Sequence, residues 1–156
     1  MATKDQKNLA LAETHKHVRS VGKYINIFVK DLLERAEDHD DSKFEEPELS
    51  MFAENTDRLG KVEYGSKEYD KMKEELKPAL DNHYAKNRHH PEHWPSGVND
   101  MTLLDIIEMI SDWKASTARN KNGNIRNSIE MNSKKYKINP QLRKILENTV
   151  REYFTE

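Results

Sequence analysis

Residues 103–113 read Leu103-Leu104-Asp105-Ile106-Ile107-Glu108-Met109-Ile110-Ser111-Asp112-Trp113. Leu103, Ile106, Ile107, Ile110 and Trp113 recur at spacings of mostly three or four, which makes one apolar face of a helix and not the two-residue alternation of a strand. Upstream, Val18, Val21, Ile25, Phe28 and Leu32 keep the same spacing within a helix expected from about Lys4 to Ala36, with Gly22 as a point of bending. Pro47 suits the first turn of a short helix carrying Leu49 and Phe52. Beyond a connector around Gly60 and Gly65, Tyr69, Met72, Leu76, Leu80 and His83 resume the helical stripe, with Pro78 expected to kink it. Downstream, Ile125 and Ile129 mark a further helix. Asn139 caps and Pro140 starts the last one, whose inward residues are expected to be Leu142, Ile145, Leu146, Val150 and Phe154. No run alternates over strand length. The expectation is therefore an all-α fold, a compact bundle of about five to seven helices forming a single domain over 1–156, with its working core at about 10–120 and basic helices at about 121–156.

Composition narrows the chemistry. The chain has 156 residues, 35% hydrophobic and 35% charged, and no cysteine. Thiol nucleophiles, iron–sulfur clusters and disulfides are thereby excluded, and any metal must be held by His, Asp and Glu. There is no apolar run of membrane-span length and no apolar stretch of secretory type at the start, so a cytoplasmic location is expected. The net charge of -2 hides an asymmetry: residues 114–144 carry nine Lys/Arg against Glu130 alone. Such a segment reads as a solvated face or as a surface for anions. Apart from Tyr136 it lacks interleaved aromatic residues for stacking, so nucleic acid is not the expected partner. Whether Tyr153 and Phe154 on the last helix pack on their own bundle or on a second copy is not decided by their spacing.

The seven histidines are informative by their order. His17 lies on the first helix, His39-Asp40 follows it, His83 continues an apolar stripe, and His89, His90 and His93 fall in a segment broken by Pro91, Pro95 and Gly97. Asp112 sits on the 103–113 helix. On an ideal helix His17 is about 40° from Val21 and about 20° from Phe28, so it is expected to point to the core side. Imidazoles and carboxylates from separate helices converge in this way in the metal sites of helical bundles.

This ordered set resembles the HD-domain metal-dependent phosphohydrolases, a helical superfamily. The resemblance spans His17 to Asp112. His17-Val18-Arg19-Ser20-Val21 looks like the first-helix histidine of that superfamily, and His39-Asp40-Asp41-Ser42-Lys43 looks like its signature doublet with a lysine three residues on. In the related HD-x-G-K form a glycine stands where this chain has Ser42. His89-His90-Pro91-Glu92-His93-Trp94 is loosely similar to the HHE segment of the HD-GYP branch, although the GYP triplet is missing. Asp112, three residues before Ala115, looks like the final aspartate ligand.

The resemblance implies that His17, His39, Asp40 and Asp112 hold one divalent metal and that Asp40 bridges to a second, completed by His83 and by His89 or His90. Two adjacent imidazoles rarely serve one metal, which leaves one of that pair to meet a substrate phosphate. One or two ions are expected, and the mixed ligands suit Mn, Fe, Co, Ni, Mg or Zn. Lys43 is the expected cation on phosphate. Ser116 and Arg119 share the helix face of Asp112 and are expected to bind substrate, while Asp105 or Glu108 would orient a ligand histidine. The implied activity is hydrolysis of a phosphoester or phosphoanhydride bond in a nucleotide-like small molecule, with Asp40 and Lys43 central to it. The competing expectation is a non-catalytic helical interaction module with a structural metal and a basic partner-binding surface.

Overall fold

The computed structural model describes residues 1–59, 62, 66–118 and 123–154. Every regular element among them is helical. They form α1 (Lys4–Asp38), α2 (Glu48–Leu59), α3 (Lys67–Glu75), α4 (Lys77–Lys86), α5 (Leu103–Ala118), α6 (Ile125–Lys135) and α7 (Pro140–Tyr153), with short 3₁₀ turns at Asp41–Phe44, Pro91–His93 and Gly97–Asp100. The all-α expectation holds. No described helix is long and apolar enough to cross a membrane.

Contacts divide the chain into two units, Met1–Glu37 and Asp38–Glu156. The first is the long α1 helix, which runs unbroken through Gly22 and buries none of its residues. Taken by itself, this helix leaves Val18, Val21, Ile25 and Phe28 exposed. His17 on the same helix is exposed too. Periodicity identifies which face of a helix is apolar; it does not supply the surface that covers it.

The second unit contains the hydrophobic core. Met109, Ile110 and Trp113 of α5 pack with Ile125 and Ile129 of α6, Ile138, and Leu146 and Val150 of α7. Burying an aliphatic side chain of this size contributes about 1.5–3 kcal/mol, so this cluster is the main anchor of the α5–α7 layer. Leu103, Ile107 and Ile145 are exposed, contrary to expectation. In α5 the buried face is shifted to Asp105, Met109, Ile110, Trp113 and Thr117. Elsewhere in this unit α4 packs against α2 and α3, with Met72, Leu76 and Ala79 buried.

Local chemistry sets the helix ends. Asn139 accepts from the Leu142 amide at 2.8 Å and Asn124 accepts from the Arg126 amide at 2.8 Å, each satisfying a donor that the first turn leaves open. Pro78 does not kink one helix as expected. The chain ends α3 at Glu75 and starts α4 at Lys77, which places Pro78 in the first turn of α4, where its missing N–H is not needed.

Candidate metal centre

His39 and Asp40 stand at the turn between α1 and the Asp41–Phe44 turn. Asp40 adopts a left-handed backbone with φ 62°, a conformation that Asp tolerates better than most residues. His83 comes from the buried face of α4. His89 and His90 come from the loop after α4, and Glu108 and Asp112 lie one turn apart on α5.

Two features fix the loop histidines. Thr102 and Asp105 form a reciprocal cap at the start of α5: the Asp105 carboxylate accepts from the Thr102 amide at 2.8 Å, and Thr102 Oγ1 accepts from the Asp105 amide at 3.3 Å. Asp105 is fully buried and also takes both ends of the Arg88 guanidinium, at 3.2 and 3.3 Å. Arg88 lies over the Trp94 ring, and Trp94 Nε1 donates to the Arg88 carbonyl. The residue preceding His89 is thus clamped on two sides. Farther along, Glu92 accepts from Lys135 and from the Tyr136 hydroxyl, each at 2.8 Å, which ties the loop to α6.

Carboxylates orient the rings. Glu108 Oε1 lies 3.0 Å from Nδ1 of both His39 and His89. Glu48 is fully buried on α2 and lies 2.9 Å from His83 Nδ1, while it accepts from Ser42 at 3.1 Å and Asn82 at 2.7 Å. A carboxylate can only accept, so Nδ1 of each of these rings carries the proton and Nε2 presents its lone pair. Asn87 Nδ2 also lies near His83 Nδ1, but its two hydrogens are taken by Ser42 Oγ at 2.7 Å and the His83 carbonyl at 2.8 Å.

The lone pairs converge. His83 Nε2 is 2.8 Å from His90 Nε2 and 3.3 Å from Asp40 Oδ1. His89 Nε2 is 3.5 Å from the same oxygen. Asp40 Oδ1 and His89 Nε2 are buried without a hydrogen-bond partner among the described residues. Two facing acceptors with no proton donor are costly in a fold and are the arrangement that a cation resolves. His39 Nε2 faces the other side of Asp40, 3.5 Å from Oδ2 and 4.0 Å from Asp112 Oδ1. Three sets of side chains could accordingly hold a metal ion: Asp40 with His83, His89 and His90; His39 with Asp40 and Asp112; and His39 with His89 and Glu108. Asp40 is shared by the first two.

The electrostatics follow this geometry. The Glu108 hydrogen bond raises the His39 pKa above 6.5, helped by the charges of Asp40 and Asp112 against the effect of burial. Burial pushes the Asp40 carboxyl up, but the hydrogen bond and charge of Lys43, with His39 and His83, outweigh it and hold the group below 3.8. Burial, then the Lys43 charge, lowers His83 below 6.5 in spite of Asp40 and Glu48. Burial, then His89 and His83, pushes His90 down to about 2. The lowered pKa values of His83 and His90 favour the neutral imidazole, the form a metal requires.

Most of the expected site residues meet here. His39, Asp40, His83, His89, His90 and Asp112 fall into the metal-competent sets, with the adjacent His89 and His90 in the same one. His17 is in none of them. Lys43 binds the Asp40 carboxylate. Ser116 is exposed and donates to Asp112 at 3.4 Å, and Arg119 lies outside the described residues. Glu108 is the carboxylate that orients histidines, whereas Asp105 holds Arg88. His93 stays outside the sets and contacts the Tyr84 carbonyl. Glu48 went unrecognised in the sequence because nothing in its spacing distinguishes it from neighbouring surface glutamates.

An all-helical chain with a histidine–carboxylate centre of this kind is a candidate metalloprotein. The sequence belongs to the family described as a family of unknown function, DUF5662, whose model matches residues 6–152. No curated protein and no solved structure matches it.

Proposed function

We propose that the protein is a metal-dependent phosphohydrolase of the HD type, acting on a nucleotide-like small molecule. The observation that carries this reading is the pair of buried, partnerless atoms Asp40 Oδ1 and His89 Nε2 within ligand sets that share Asp40. A divalent metal held there supplies Lewis acidity toward a phosphoryl oxygen and lowers the pKa of water. The residues of the chain do the rest: Asp40, His83, His89 and His90 would hold one ion, His39 and Asp112 with Asp40 would hold another, and Glu48 and Glu108 keep the ring nitrogens facing inward. Lys43 holds the Asp40 carboxylate in its ionised form. Overall, the water oxygen forms a bond to phosphorus, a P–O bond breaks, and the leaving oxygen takes up a proton.

A second reading has one observation in its favour. Asp40 with three histidines makes four ligands, the number that closes a structural zinc site. Elemental analysis of untagged protein, combined with phosphate release under added manganese, separates the two. Bound metal with turnover supports the hydrolase. Bound metal without turnover, whose chelation melts the helices, supports the structural site, and no metal under any loading condition overturns both.

Two further outcomes are expected. Glu108→Gln should weaken metal binding about 10–100-fold, because one carboxylate orients two histidines; calorimetric titration of the variant checks this, and an unchanged affinity would remove Glu108 from the centre. The pH dependence should differ between the two sets. His39 titrates above 6.5 and must lose a proton to bind metal at pH 6, whereas His83 and His90 titrate below 6.5 and give up their protons more readily. Lowering the pH from 8 to 6 should therefore release the ion held by His39 while that held by His83 and His90 remains, read as a drop in stoichiometry. For the metal-free fold, His83 and His90 reduce stability as pH falls below 6.5, since the unfolded chain takes up protons that the fold refuses. The contribution of His39 has the opposite sign: it is present below 6.5 and is lost as pH rises through its raised pKa.

A further inference from the structure

Beside the histidine cluster lies a cavity of about 590 Å³, within the range of small-molecule sites. Its wall includes His90 from one ligand set and Asp112 from another, so it opens where both sets end. The remaining wall differs in chemistry from the centre. Trp113 and Tyr136, stacked at 12° between ring planes, supply an aromatic surface. Asn127 and Asn132 of α6 also line the cavity, and each carries an amide that can donate and accept, while the Asn124 oxygen there is taken up in capping the helix. Among the described wall residues Lys135 is the only Lys or Arg, and it is already engaged with Glu92 and Tyr136. Among the described residues, such a wall fits a neutral, planar group rich in hydrogen-bonding edges.

Resting on the hydrolase reading, we propose that this cavity receives the nucleoside of a nucleoside monophosphate whose phosphate lies at the histidine–carboxylate centre. The base stacks on the aromatic wall and its edge meets the α6 amides, which makes Asn127 and Asn132 specificity residues. In the reaction the water oxygen joins phosphorus, the ester P–O bond breaks and the ribose oxygen takes the proton, leaving a nucleoside and inorganic phosphate.

Two readouts test this separately from the chemistry. Tryptophan fluorescence reports occupancy of the cavity through Trp113: adenosine and guanosine 5′-monophosphate should quench it, Trp113→Phe should remove the quench, and Asn127→Ala and Asn132→Ala should each weaken binding about threefold to tenfold. Manganese-dependent turnover of p-nitrophenyl phosphate reports the hydrolase itself. With that turnover present, kcat/KM for the nucleoside monophosphates should exceed that for ribose 5-phosphate and for nucleoside triphosphates by about tenfold or more, and the asparagine variants should lower this preference through KM. Turnover of p-nitrophenyl phosphate without quenching, or with a preference for triphosphates or for ribose 5-phosphate, overturns the cavity assignment and leaves the hydrolase standing. Quenching without turnover of any phosphoester keeps the nucleoside monophosphate site and overturns the hydrolase. Absence of both overturns both.

Discussion

Asp40→Asn is expected to reduce metal affinity by more than about 100-fold and to remove manganese-dependent phosphate release, with the far-UV circular dichroism spectrum unchanged. The outer carboxylates of metal sites are worth about 10–100-fold, and Asp40 is an inner group that two ligand sets share, so its neutralisation weakens both at once. Asn is the appropriate replacement for a backbone reason. At φ 62° a residue such as Ala would add strain, whereas Asn enters the left-handed region readily and keeps the side-chain volume. Lost function can then be assigned to lost charge and not to a distorted turn. Retention of full metal affinity and turnover by Asp40→Asn would end the proposed mechanism.

Glu48→Ala should destabilise the protein by roughly 3 kcal/mol, read as a lower denaturation midpoint at unchanged slope. Glu48 is fully buried and accepts from Ser42 and Asn82 while it orients His83. Its removal leaves the buried donors of Ser42 and His83 and the half-buried amide of Asn82 without their acceptor, and each stranded buried donor costs about 1–3 kcal/mol less whatever relaxation recovers. The same variant frees the His83 ring, so metal affinity should fall with stability. Glu48→Gln, which keeps the shape and one acceptor oxygen, should lie between the two. A midpoint unchanged by Glu48→Ala would show that the network carries no net stability.

The two variants probe different links of one chain of causes. Asp40 tests whether the facing lone pairs are there for a cation; Glu48 tests whether a buried carboxylate is what turns an α4 histidine toward that cation. His83 shows why both are needed. Its place on an apolar stripe is compatible with a core histidine, and the structure does bury it, yet Glu48 fixes its Nδ1 so that Nε2 meets Asp40 and His90.

Helical periodicity, cap residues and the absence of cysteine were enough to establish an all-α chain and to limit any metal to His, Asp and Glu. These are local signals, carried by residues three or four positions apart, and they survive in the sequence. The order of His39-Asp40, His83, His89-His90 and Asp112 likewise marked most of the residues that meet. Tertiary structure decided what local spacing cannot encode: that Pro78 begins a helix instead of kinking one, that the buried face of α5 is carried by Asp105, Met109, Ile110, Trp113 and Thr117, and that Glu48 and Glu108 set the ring nitrogens. The physical reason is that periodicity defines the face of an isolated helix, whereas burial, ring orientation and the pKa of an imidazole depend on partners many residues away in sequence, as Glu108 is from His39 and Glu48 from His83.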